Sequence, residues 1–343
     1  MSKEKSGLRA LIRGQSAAFQ DMLAVLSDRG RRFFDNLPYG RPRTEDLKSL
    51  CELLLSSRGQ ASKSALSTTI LDGFDRLDAS GRRLFFEMLC DDFSIDTDDV
   101  VEAVNEYRGA PSPDSLARLQ KASEPRRQEL FRRLNHAPEG TARLVDMRKK
   151  LVMLLREHPD LSAVDNDLVH LFNSWFNRGF LELRRLDWNT PAAILDRIIQ
   201  YEAVHEISDW DDLRRRIDPP DRRLYAFFHP SLPGEPLIFV EVALTKEIAG
   251  NIDQILAADR EIAAPEELRT AVFYSISNCQ VGLRGISFGS FLIKQVLEEL
   301  AGDLPGLKTF VTLSPIPAFA NWLRTKREQM DADSDISKIL ALL

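Results

Sequence analysis

Apolar residues recur at helical spacing through the first half of the chain, and each recurrence marks one buried face. Leu47, Leu50, Cys51 and Leu54 make the first such stripe, with Thr44 placed to cap it. Ser80 stands ahead of Leu84, Phe85, Met88 and Leu89. Val100, Val101 and Val104 mark a third segment, and Leu116 and Leu119 a short fourth one after Pro113. Leu144, Met147, Leu151, Leu154 and Leu155 predict a longer helix that stops near His158-Pro159, because a residue before proline avoids helical backbone. Leu168, Leu171, Phe172, Trp175 and Phe176 predict a strongly apolar helix with Gly179 as its C′ residue. Almost nothing before that glycine reads as strand. Short polar connections between the stripes predict an antiparallel helical bundle.

After Gly179 the pattern changes. Thr190-Pro191 opens a helix through Ile194, Leu195, Ile198 and Ile199, with proline at the first helical position. The charged run 208–216 predicts another short helix. Strands are expected over 224–228, 237–244, 271–276 and 309–313, with helices around Ile248, Ile252 and Ile255 and from about Phe288 to Leu300. Alternation of this kind predicts a mixed α/β domain. The expected division is therefore a helical domain over 1–178 and an α/β domain over 179–343.

Composition narrows the class further. Lys and Arg number 46 against 52 Asp and Glu, a net charge of −6, so the whole chain has no electrostatic footprint for nucleic acid. Cys51, Cys90 and Cys279 lie far apart without a CxxC, which fits a reducing compartment and argues against a disulfide framework or zinc ribbon. No apolar run approaches the ~18 residues of a membrane span. The opening MSKEKSGLRALIRGQ lacks the apolar core of a secretory signal. The expectation is a soluble intracellular protein with no membrane and no metal. The runs Asp96 to Asp99 and Asp209 to Asp212 read as solvated helix N-termini.

Three stretches could carry chemistry. In residues 271–300 a predicted strand runs into a loop with Gly282, Gly285 and Gly289 and then into a helix. Glycines let a backbone approach a ligand, and a helix N-terminus offers N–H groups to an anion, which suits a nucleotide or CoA pyrophosphate beside the Arg284 cation. The spacing matches neither GxGxxG nor a P-loop, and a tight turn with no ligand is the alternative. The second stretch is Leu313-Ser314-Pro315-Ile316-Pro317, at the C-terminal end of a predicted strand, where α/β proteins place active groups. Ser314 could donate to developing negative charge or act as a nucleophile, or simply satisfy a turn; no GxSxG surrounds it. The third is the Pro-rich loop from Phe227 to Pro236, where His229 is a candidate base, though a lone histidine is more often a packing residue. His136, His158 and His170 have no Cys or carboxylate at ligand spacing.

HPSLPGEPLIFVEVALTKEIAGNI, AVFYSISNCQVGLRGISFGSFLIK and VTLSPIPAFANWL, in this order and spacing, closely resemble malonyl-CoA decarboxylase. The resemblance is strong over roughly 180–330, and the helical first half is similar to that family's N-terminal domain. It implies a GNAT-like catalytic domain and conversion of malonyl-CoA to acetyl-CoA and CO2. It also implies no metal or organic cofactor, and a tetramer assembled partly through the helical domain. Residue by residue, the family's CoA and substrate segment falls on Arg284, Gly285, Ile286, Ser287, Phe288, Gly289 and Ser290, and its catalytic serine on Ser314. Animal members have glutamate at the position of Ser287, so no acid or base role is assigned there.

The family's second catalytic residue, a histidine in a further C-terminal segment, has no counterpart among the five histidines here. The expectation is a catalytic domain truncated at its C-terminus, either a fragment or a form that has lost activity. The alternatives are a CoA-dependent acyltransferase of the same fold, or an inactive fragment acting only as an oligomerisation module. Phe33-Phe34 and Phe85-Phe86 read as surface aromatic clusters through which the helical half self-associates. The expected location is the bacterial cytoplasm, with the mitochondrion as the alternative.

Overall fold

The structure, a computed structural model, describes residues 44–56, 60–286, 291–316 and 318–329. The chain divides into two compact units. One runs to Glu182 and includes 228–235 and 280–289; the other takes 183–227, 236–279 and the residues from Ser290 onward. The loop 228–235 and the described residues 280–286 thus cluster with the helices although they follow them in sequence.

The helical unit holds, among the described residues, α1 (Thr44–Ser56), α2 (Gln60–Arg76), α3 (Ala79–Asp91), α4 (Thr97–Gly109), α5 (Pro113–Ala122), α6 (Arg126–Leu134), α7 (Gly140–Leu154) and α8 (Ser162–Trp175). Side chains begin several of them. Asp78 accepts from Gly81 N–H, Asp96 from Asp98 and Asp99 N–H, and Ser112 forms a reciprocal box with Ser115. The stripe of α1 is buried as its spacing predicts: Leu47, Leu50, Cys51 and Leu54 all face inward. The stripes of α7 and α8 are buried likewise at Leu144, Met147, Leu151, Leu168, Leu171 and Phe172, whereas in α3, α4 and α5 the buried face is rotated from the expected one. Leu84 is 44% exposed, and Val101 and Leu116 also face solvent, while Phe86, Ala103, Ser115 and Ala122 are buried. Short amphipathic segments carry too few apolar residues to set their own rotation, so packing decides it.

Two further expectations are corrected. Phe85 and Phe86 are fully buried and pack with Phe74, ring centroids 5.1 and 5.6 Å away, so they are core and not a self-association surface. Phe33-Phe34 lies outside the described residues. Helix α8 ends at Trp175, and Gly179 sits within a 3₁₀ turn over Arg178–Phe180 instead of serving as a C′ glycine. Helices α2 and α6 escape the apolar-stripe reading. The first is rich in Ser and Thr, whose hydroxyls Thr68 and Thr69 turn back onto the Ser64 and Ala65 carbonyls. The second, RRQELFRRL, hides its buried face among arginines.

The sheet unit has β1 (Glu182–Leu186), α9 (Ala192–Tyr201), α10 (Trp210–Ile217), β2 (Arg222–Phe228), β3 (Ile238–Thr245), α11 (Ile252–Leu256), β4 (Thr270–Asn278), α12 (Phe291–Asp303), β5 (Thr309–Thr312) and α13 (Phe319–Gln329). Among the described residues its five strands lie side by side in sequence order. β2, β3 and β4 form an antiparallel meander, with a bulge between Glu241 and Val242. β5 is parallel to β4 after the α12 crossover, as a parallel neighbour requires. β1 was not anticipated: ELRRL is mostly exposed and charged, the dress of an edge strand. β3 is buried at every position but its last, hence its unbroken apolar run. Ala243, Val272, Tyr274 and Ile255 form a core on one side of the sheet, with Val311 and Leu313 of the β5 segment packed against it.

Candidate active site

Ser314 stands where two parallel strands part. The last pair between β4 and β5 joins Phe273 to Thr312, and Leu313 N–H still donates to the Phe273 carbonyl at 2.9 Å. β4 then continues to Asn278 beyond its partner. Ser314, Pro315 and Ile316 leave the strand end exposed, with Ile316 71% exposed. Helix α13 follows, its Phe319 and Trp322 rings stacked at 5.8 Å. A hydroxyl just past the C-terminal end of a parallel strand is well placed to meet a ligand.

The loop expected to bind CoA belongs to the helical unit. A 3₁₀ turn over Val281–Leu283 is closed by Leu283 N–H to Gln280 O and Arg284 N–H to Val281 O. Leu283 and Ile286 are buried; Arg284 and Gly285 face outward. Gly285 has φ +83°, a left-handed backbone that favours glycine. Gly282 is required for another reason: a Cβ there would lie 1.9 Å from the Val145 carbonyl oxygen. Ser287, Phe288, Gly289 and Ser290 lie outside the described residues.

His229 is buried between the rings of Phe176 and Phe180, at centroid distances of 4.9 and 6.1 Å. Its Nδ1 accepts from Ser231 N–H at 3.1 Å. Burial pushes the imidazole pKa down, partly offset by the Trp175 carbonyl and the Glu182 carboxylate, so the ring is neutral near pH 7. Among the described residues, no group of three or more His, Cys, Asp or Glu side chains could hold a metal ion. No described helix is long and apolar enough to cross a membrane.

Sequence reading missed several sets of buried charges, among them one in each unit. In the helical unit Arg148 binds Asp165 and reaches the 282–284 main chain. Its signal was a cation on an apolar face, three residues before Leu151 and four after Leu144. In the sheet unit Glu241 interrupts the apolar run of β3 and is fully buried. Arg216 Nη1 lies 3.4 Å from its carboxylate, while neither Glu241 Oε1 nor the Tyr274 hydroxyl reaches a partner at hydrogen-bond length. Burial, reinforced by the neighbouring Glu202 charge and opposed by Arg216, pushes the Glu241 pKa up to about 8. Glu202 accepts from Ser275 and Ser277 hydroxyls and from Val204 and His205 N–H, which ties the end of α9 to β4.

A helical region ahead of a mixed α/β sheet domain is also the arrangement that similar proteins match along the chain. The family model described as malonyl-CoA decarboxylase N-terminal domain matches residues 93–176, and the one described as malonyl-CoA decarboxylase C-terminal domain matches residues 179–340. The crystal structure of malonyl-CoA decarboxylase from Rhodopseudomonas palustris is similar with TM-score 0.80 and 53% identity, over 86% of this chain and 71% of that one. The enzyme structure from Agrobacterium vitis has TM-score 0.79 and 54% identity, over 83% and 70%. The chain belongs to the malonyl-CoA decarboxylase family. Mitochondrial malonyl-CoA decarboxylase from Anser anser anser is 42% identical over 58% of this chain, and the match spans 40% of that relative's length. The chain spans less than half the length of the curated relatives it matches.

Proposed function

We propose that this chain takes part in the decarboxylation of malonyl-CoA to acetyl-CoA and CO2. The observation that carries the reading is Ser314, held at the parting of β4 and β5 within the family-matched region. In the reaction the bond between the α-carbon and the carboxylate breaks, and its electron pair passes onto the thioester as an enolate. A proton then reaches the α-carbon to give the acetyl group. A site for this step needs donors preorganised toward the enolate oxygen. The Ser314 hydroxyl is assigned to orient the leaving carboxylate or relay the proton. Arg284 to Ser290 are assigned to the CoA end, where the exposed Arg284 guanidinium suits phosphate. His229 fits packing better than proton delivery, because its ring is enclosed and neutral.

In this reading the sheet unit is a GNAT-like catalytic domain, and the reaction uses neither metal nor organic cofactor. The chain assembles as a tetramer partly through the helical unit, where Leu53, Leu84, Val101, Leu116 and Met153 offer exposed apolar surface. A bacterial cytoplasmic location agrees with the bacterial origin of the solved relatives. Membrane and nucleic acid are not expected partners.

The test is release of labelled CO2 from malonyl-CoA by the purified chain, compared with Ser314→Ala. Turnover should fall roughly 100- to 1,000-fold, as on removal of one oxyanion donor. CoA binding should barely change. Near-normal release from the variant would return Ser314 to a turn role. Acetyl transfer from acetyl-CoA to an amine, without CO2 release from malonyl-CoA, would favour an acyltransferase. A folded oligomer with no turnover would favour a non-catalytic assembly module.

A further inference from the structure

Arg148 projects from α7 with 3% of its surface exposed, and its hydrogen-bond partners lie within the helical unit. Nε and Nη2 donate to the two carboxylate oxygens of Asp165, at 2.7 and 3.3 Å. Nη1 donates to the carbonyls of Gly282 and Arg284, both at 2.8 Å. One edge of the guanidinium is thereby neutralised and oriented, and the remaining corner is spent on loop backbone. The two carbonyls bracket Leu283, whose side chain is buried, so one guanidinium nitrogen holds the loop at two successive points.

Two features strengthen the grip. Gly282 lies flush against Val145, a turn before Arg148 on the same helix, at a distance that leaves no room for a Cβ. Immediately after Arg284, the left-handed Gly285 turns the chain so that Ile286 returns to the interior. The main chain on both sides of the Arg284 side chain is therefore fixed, while that side chain itself is exposed.

We propose that Arg148 is a positioning residue for CoA recognition: it holds the 282–285 main chain so that Arg284 is presented to the CoA phosphates before the thioester arrives. This rests on the reading of the loop as the CoA segment. Arg148 itself would touch no substrate. A loop already ordered in the free protein does not lose affinity to ordering on binding. Lysine cannot substitute, since a single ammonium has no planar fork to span a carboxylate and two carbonyls.

The experiment is Arg148→Lys in the 343-residue chain, with calorimetry against CoA and against pantetheine, which lacks the nucleotide and its phosphates. CoA binding should weaken about tenfold, as on loss of a hydrogen bond to a charged group. Pantetheine binding should stay as in the wild type. Equal weakening of both ligands would make Arg148 a stabiliser of the fold alone, and unchanged CoA binding would overturn the proposal outright. A wild-type chain that fails to bind CoA would instead overturn the reading of the loop. Should Arg148→Lys not fold, hydrogen exchange on the wild type decides. The amides of Leu283, Arg284 and Ile286 should be protected in the free chain and no more so with CoA. Protection that appears only on adding CoA would overturn the clamp.

Discussion

In the helical unit Arg127 faces Asp167 and Arg148 faces Asp165, one buried guanidinium to one carboxylate. In the sheet unit the counts do not balance. Arg216 is shared by Asp212 and Glu241 with Glu202 close by, and Asp221 is shared by Arg222 and Arg260. Paired charges compensate each other. Shared ones leave a group that must shift its pKa, which is why Glu241 is pushed up while Asp212 goes down. Burial alone would raise Asp212, but hydrogen bonds from Arg216 and Ser208 N–H outweigh it. The sheet unit thus holds a fully buried carboxyl, Glu241, whose proton is bound more tightly in the fold than in water.

The largest expected effect comes from breaking a balanced pair. Asp167 accepts from Arg127 and from Gln128, both buried, so Asp167→Ala strands a charge in the interior. The expected cost is about 3–5 kcal/mol, checked by urea unfolding followed by circular dichroism. A loss below about 1 kcal/mol would show that water reaches Arg127 and that the pair is not truly buried.

Glu241→Gln sharpens the other side. A carboxyl with its folded pKa raised to about 8 binds its proton more tightly in the native state. Its contribution to stability is therefore full below the ordinary carboxylate pKa and is lost as pH rises toward about 8. Glutamine cannot ionise, so the variant should match the wild type near pH 4 and exceed it increasingly up to pH ~8.5. Equal stability differences at both pH values would mean that Glu241 is ionised in the fold and compensated by Arg216.

The smallest effects serve as a control. Asp78 caps α3 in the helical unit and Asp209 caps α10 in the sheet unit, each by one side-chain bond to a backbone N–H. Each Asp→Ala change should cost about 1 kcal/mol, alike in both units because a cap is a local device. A markedly larger loss at Asp209 would indicate that α10, through Arg216, holds the buried charges of the sheet together.

Much of this organisation was legible in residue order. The stripe Leu47, Leu50, Cys51 and Leu54 predicted both a helix and its buried face, and the acidic run at Asp96 predicted the start of α4. Four of the five described strands are visible as apolar runs, and the glycines of 282–285 stand out in the sequence ahead of α12. What escaped had weak or opposed local signals. β1 carries charges because it is an edge, and α2 is spelled in hydroxyl residues. Arg148 was the odd cation on an apolar face, whose partner seventeen residues away and whose loop far downstream no periodicity connects.

By itself the sequence determined most of the helices and strands, that the two regions differ in class, and, through three long motifs, the family. These are properties of neighbouring residues, set by periodicity, capping and local composition. Tertiary structure alone decided which face of each short helix turned inward, that Phe85 and Phe86 are core, and that residues 228–235 and 280–286 cluster with the helices. It also decided how buried charges pair. A carboxylate's pKa and a carbonyl's donor depend on groups brought close in space by packing, and no pattern along the chain records that distance.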